Sequence, residues 1–413
     1  MRSNRYLNGA DYLMLAFDYE LRRRHYAGYS CQILVELSAP LDPESLRQRL
    51  GAVLARFPFL AARPTGLLLP YWKLCHGTPT VRRHPDEPGI RERLFNEPLA
   101  THRGELLRFD LVGNDIVFTW AHVLMDARAA EHFLLELGRN DLAAVTDAPS
   151  IVELHPVAKQ LAGARQATEY IDQFAKIPAR PFRQPDRCVP PLLKYRIERF
   201  TVAETARIRD NATRTCGFLN LAQYDAAASI MELHRLHERL GSGSPSYVFA
   251  VPVGLRPKGS WTPLFSNQIA MLMQQVFPNQ LDTLANTVTA LKAQTEHALR
   301  HGHLSNYILL AEFSRYLPLP VCVAIMKRSL GGELASIFYG DAGTLNAPLL
   351  DFLGVPVVDV VHIGAVPEAP GLGVIFGRFR NQLRLTVIHA TRMLKDDEAA
   401  VFAANLRQRL LTP

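Results

Sequence analysis

The chain has 413 residues, 48% hydrophobic and 21% charged, with mean hydropathy near zero. That balance excludes a disordered segment and a membrane-spanning protein, and the length suits two domains or one elaborate one. The net charge of +7 comes from 46 basic and 39 acidic residues, 38 of the basic ones being arginine, whose planar fork fits phosphate and carboxylate. The cations are scattered, with only Arg22, Arg23 and Arg24 and the pair Arg82 and Arg83 clustered, and no nucleic-acid module is recognisable. Cys31, Cys75, Cys188, Cys216 and Cys322 lie far apart with no C-x-x-C pair, which argues against a disulfide framework and a thiolate zinc site. No apolar run approaches the roughly 18 residues of a spanning helix, and no leader pattern opens the chain, so the cytoplasm is the expected location.

Leu13, Leu15, Phe17 and Leu21 read as core packing ahead of the basic triplet. Alternation from Ser30 to Leu37 predicts a strand. Asp42 as N-cap and Pro43 at the first helical position then open a helix carrying Leu46, Leu50, Val53 and Leu54, which stops at Phe57-Pro58. Leu106–Leu111 and Asp115–Ala121 predict a strand pair joined by a short turn, followed by a helix from Asp126 to Leu137. Five prolines between 176 and 192 predict an extended linker, because proline fixes φ and removes a ladder donor. The second half predicts a strand from Lys194 to Phe200, a helix from Val202, a long helix from about Leu219 to Leu240 and a strand from Tyr247 to Val253. Strands follow at 269–277, 334–339, 355–363, 373–379 and 383–389, with a last helix over 395–410. Both halves are therefore α/β, which places an N-terminal unit at 1–176, a linker at 177–192 and a C-terminal unit at 193–413.

Hydrolase, P-loop, dinucleotide and zincin signatures are absent. His297, His301 and His303 lack a third ligand or carboxylate at metal-binding spacing, so no metal is expected. Gly241–Pro245 precedes a strand rather than opening a helix and reads as a plain loop. The chemical candidate is Thr119-Trp120-Ala121-His122-Val123-Leu124-Met125-Asp126-Ala127, an apolar strand ending on a histidine with an aspartate four residues later at a helix start. There the sequence resembles the chloramphenicol acetyltransferase-like superfamily of coenzyme A-dependent acyltransferases and nonribosomal condensation domains, whose mark is H-H-x-x-x-D-G. His122 and Asp126 match it, while Ala121 and Ala127 replace the first histidine and the glycine. Pro40–Leu46, Arg56–Leu60, Pro252–Arg256 and Ser266–Gln268 are similar to further family segments in the same order. Gly340–Gly343 is a degenerate counterpart of a later strand and loop.

The resemblance implies a mixed α/β fold of two lobes, each a sheet with helices, and an active-site tunnel at their interface. It implies His122 as general base, Asp126 and Arg256 as a positioning pair, and Trp120, Ala127 and Asn267 beside the substrate. The donor would be an acyl thioester of coenzyme A or of an acyl carrier protein's phosphopantetheine, used as co-substrate with no tightly bound cofactor. The acceptor would be a hydroxyl or amine on a small molecule or lipid. An already activated thioester needs only a positioned base, and a neutral imidazole supplies one near pH 7. Two alternatives stay open: a freestanding amide-forming condensation enzyme, and a non-catalytic partner protein suggested by Ala121 and Ala127.

Overall fold

Asp42 caps its helix as its position predicts. The carboxylate accepts from Glu44 N and Ser45 N, Pro43 fills the first turn, and Pro43–Arg56 buries Leu46, Leu50 and Val53. The structure, a computed structural model, describes residues 5–75, 77, 79–139, 155–217, 221–257, 260, 263–329, 332–344, 349–368 and 370–412. The expected strands and helices occur with bounds shifted by a few residues, the largest shift placing the 334–339 strand at Phe338–Thr344. The long helix is described from Leu221, and residues 219 and 220 lie outside the described residues.

The architecture is mixed α/β, built on two main sheets. One runs in the order Asp351–Phe352, Val355–Gly364, Ser30–Leu37, Asp115–Ala121, Leu107–Val112 and Thr80–His84, with only the last pair parallel. The other runs Phe338–Thr344, Leu372–Phe379, Gln382–Ala390 and Leu193–Arg199. An antiparallel pair, Tyr247–Gly254 and Ile269–Val276, brings the Arg256 and Asn267 segments together at one end.

The units expected at 1–176 and 193–413 do not partition the sheets. Val355–Gly364, from the second half, pairs along Ser30–Leu37 in the first sheet. The cause is burial: nearly all of Val357–Gly364 is buried, and a strand apolar on both faces needs a sheet interior rather than an edge. The chain then passes straight into Leu372–Phe379 of the other sheet, so the two sheets are covalently stitched. Likewise the N-terminal helix Gly9–Arg23 packs against His303–Ser314 and Leu319–Ser329. Residues 177–192 contain no regular element and are pinned to the second half, with Arg180 N donating to Ser244 Oγ and Arg183 bridging to Glu398.

Candidate active site

Strand Asp115–Ala121 ends beside Ser30, and the chain turns tightly into helix Ala127–Gly138. The turn is held from several sides. His122 N donates to Tyr29 O at 3.1 Å, and the Tyr29 ring stacks on the imidazole at 5.1 Å. Trp120 Nε1 donates to Met125 O at 3.0 Å, tying the start of the turn to its end. Asp126 caps the helix through Ala129 N with one oxygen and accepts Arg256 Nη1 at 2.6 Å and Gln268 N at 2.8 Å with the other. Arg256 also donates to Pro263 O and Ser266 O. The aspartate is buried, and its charge is met by the guanidinium fork of Arg256.

His122 Nδ1 lies 3.1 Å from Asn267 Oδ1. The amide is oriented unambiguously, because Asn267 Nδ2 faces Asp11 Oδ1 at 2.9 Å and His122 O at 2.8 Å, both acceptors only. Oδ1 must therefore receive a proton, so Nδ1 carries the hydrogen and Nε2 carries the lone pair. His122 lines a cavity of about 990 Å³ bordered by both main sheets, the strand pair Tyr247–Gly254 and Ile269–Val276, and the helices Gly9–Arg23, Val157–Ile171, His303–Ser314 and Leu319–Ser329. Burial pushes the imidazole below its ordinary value, against the opposing pull of Asp126 and Asn267, which keeps it unprotonated and basic near neutral pH.

The structure brings His122, Asp126, Arg256 and Asn267 into one network, and of the residues expected beside substrate Trp120 and Ala127 line the cavity while Asn267 does not. Asn267 is 1% exposed, and its side chain is engaged with His122, Val123 and Asp11. Trp120 touches the cavity wall but is 1% exposed, stacked on Phe118 with its N–H engaged, which makes it a brace for the turn. Ala127 is half-buried and lines the cavity. Sequence reasoning missed Asp11, whose Oδ1 also accepts Asn267 N at 2.8 Å, and Tyr29. The signal for Asp11 was the capping pattern Asn8-x-x-Asp11, which starts the first helix; nothing local marked Tyr29.

Several solved structures resemble the whole chain. The first condensation domain of the calcium-dependent antibiotic synthetase, in complex with a substrate analogue, matches with TM-score 0.71 and 17% identity over 99% of this chain and 96% of that one. Trichothecene 15-O-acetyltransferase from Fusarium sporotrichioides matches with TM-score 0.74 and 14% identity over 99% and 94%. The chain has the chloramphenicol acetyltransferase-like fold. Polyketide synthase associated protein 5 from Mycobacterium tuberculosis shares that fold at TM-score 0.64 and 14% identity, over 99% and 97% of the two chains. No family model and no curated protein matches the sequence.

In this acyltransferase-like fold the cavity holds two thiols, Cys31 and Cys322, pushed up by burial to about 12 and about 11 respectively. Both stay protonated near neutral pH and are poor nucleophiles. Among the described residues no group of three or more His, Cys, Asp and Glu side chains is arranged to hold a metal ion, and no helix is long and apolar enough to cross a membrane.

Proposed function

We propose that the protein transfers an acyl group from a thioester, carried by coenzyme A or by the phosphopantetheine of a carrier protein, to a hydroxyl or amine, with His122 Nε2 as general base. The observation that carries this reading is the locked tautomer: Asn267 fixes the hydrogen on Nδ1, leaving Nε2 as the nitrogen available to a ligand in the cavity. As the acceptor attacks the thioester carbonyl, Nε2 takes its proton, and the same proton can return to the departing thiolate. Transfer is direct, which agrees with protonated thiols in the cavity and with the absence of a serine elbow motif. Asp126 and Arg256 hold the turn and touch no reacting atom. The thioester enters as a co-substrate in the cytoplasm, and no resident cofactor is needed.

The cavity walls are mostly apolar, with Met14, Phe17, Met271, Phe313 and Met326 among them, which suits a bulky apolar acyl or acceptor group. Incubation with a panel of acyl-coenzyme A and acyl-carrier donors and alcohol or amine acceptors, read by product mass, tests the reading. His122→Ala should lose about 10²- to 10⁴-fold in turnover with donor binding retained. Full activity in His122→Ala, or a stable acyl adduct on Cys31, would overturn it, and products formed only between two carrier-bound substrates would assign the amide-forming alternative.

A further inference from the structure

A second histidine faces the same cavity. His362 lies on Val355–Gly364 and lines the wall, with Glu131 of helix Ala127–Gly138 behind it, its Oε1 2.8 Å from His362 Nε2. Glu131 is 4% exposed, and both of its oxygens, like His362 Nε2, lack an aligned hydrogen bond, because the close oxygen sits off the ring's N–H direction. A buried carboxylate with no other partner costs stability, so such a pair is not explained by packing. With Nε2 on the side of Glu131, Nδ1 is the ring nitrogen left for a ligand. Gly377 leaves that nitrogen uncovered, since a Cβ at 377 would come within 3.1 Å of Nδ1. Of the nearby polar groups of the cavity, Asp341 accepts from Gly343 N and Arg378 and Tyr339 donates to Ala222 O, while Gln32 Oε1 has no hydrogen bond.

The sheet register fixes where this pair lies. His362 is opposite Ile33, which is opposite Phe118, while His122 follows Ala121 opposite Ser30. Four residues along and two strands across separate the two histidines by roughly 16 Å. His362 is therefore too far away to share the proton of His122 and stands at another end of the cavity.

We infer that His362, backed by Glu131, is a specificity determinant that shares a hydrogen bond with a hydroxyl carried at the inner end of an otherwise apolar chain. This rests on the cavity being the binding site for the transferred or accepting group, and it assigns His362 no part in the chemistry. A hydroxyl buried there without a partner would be penalised, so the site should discriminate by chain length as well as by polarity.

Titration calorimetry with saturated fatty acids and their ω-hydroxy counterparts over a range of lengths tests this without requiring turnover. The wild type should favour the hydroxylated ligand at one chain length and reject it at others. His362→Phe should shift that ratio at least about tenfold towards the plain chain, as one hydrogen bond is lost and a hydroxyl stranded. Gly377→Ala, which covers Nδ1 and leaves the imidazole in place, should shift it in the same direction if His362→Phe fails to fold. An unchanged ratio in the folded variants, or no binding by either series, would overturn the inference. His122→Ala serves as the control: loss of transfer with the ratio intact keeps the two proposals separable, and a ratio that moves with no transfer by any protein would count against the acyltransferase reading alone.

Discussion

Asn267 decides which nitrogen of His122 holds the proton, and it can do so only because Asp11 and the backbone at 122 occupy its amide hydrogens. Asn267→Ala removes that lock while leaving the imidazole in place. It should lower kcat about 10- to 100-fold with little change in KM for the acyl donor, as expected when a base is mispositioned rather than deleted. The pH profile supplies an independent readout. Burial lowers the His122 pKa, so in the wild type the rate should rise with pH and level off before the ordinary imidazole value of about 6.5. In the variant the ring loses a hydrogen bond that favours its charged form, so the inflection should move further down. An unchanged inflection with reduced protein stability would make Asn267 merely structural.

Among the elements, the strand Val355–Gly364 does most to bind the halves together. Its Asp359 accepts from Arg384 Nε at 2.9 Å and from Arg199 Nε at 3.0 Å, two residues of the other sheet, and Arg199 also reaches Glu36 on Ser30–Leu37. Asp359 and Arg384 are both buried where the sheets meet. Removing one partner from such a cluster leaves the other charge stranded, so Asp359→Ala should cost about 3 to 5 kcal/mol in a urea titration. A double substitution of Asp359 and Arg384 by apolar residues should recover part of that loss, since the desolvation cost disappears with the charges. A loss below about 1 kcal/mol in the single variant, the range of exposed pairs, would show that this junction does not hold the sheets.

For the whole molecule, acid should unfold the protein earlier than its carboxylates alone require. His132 and His237 are both pushed down to about 4, chiefly by burial, with the positive charges of Arg139 and Arg256 adding to the effect at His132. The unfolded chain binds protons at these positions below about pH 6.5, and the native state refuses them until near pH 4, so stability falls steadily across that window. His237, 1% exposed beneath Phe182 and Tyr247, accounts for on the order of 3 kcal/mol of the fall. Denaturant midpoints measured between pH 7 and pH 4 should show this slope, and His237→Gln should flatten it; a wild-type midpoint constant over that range would contradict the buried neutral histidine.

The sequence alone determined most of what is local. Asp42 and Pro43 announced a helix start because a cap and a fixed φ act within one turn, and the alternation of Ile33, Val35 and Leu37 announced a strand because side chains alternate across a pleat. His122 and Asp126 were legible for the same reason, being four residues apart in one turn. Arg256 was reached from resemblance, since the local chemistry of a loop arginine says nothing about a carboxylate 130 positions away. The tertiary structure decided what depends on pairing between distant segments. Val355–Gly364 entered the first sheet because burial on both faces favours an interior strand, and sequence periodicity does not tell a strand which neighbour will cover it. The contact of Asn267 with His122, the places of Asp11 and Tyr29, and the Glu131–His362 pair became visible only once the fold closed. A hydrogen bond is decided by a few tenths of an ångström and an angle, and neither is written in the spacing of residues along the chain.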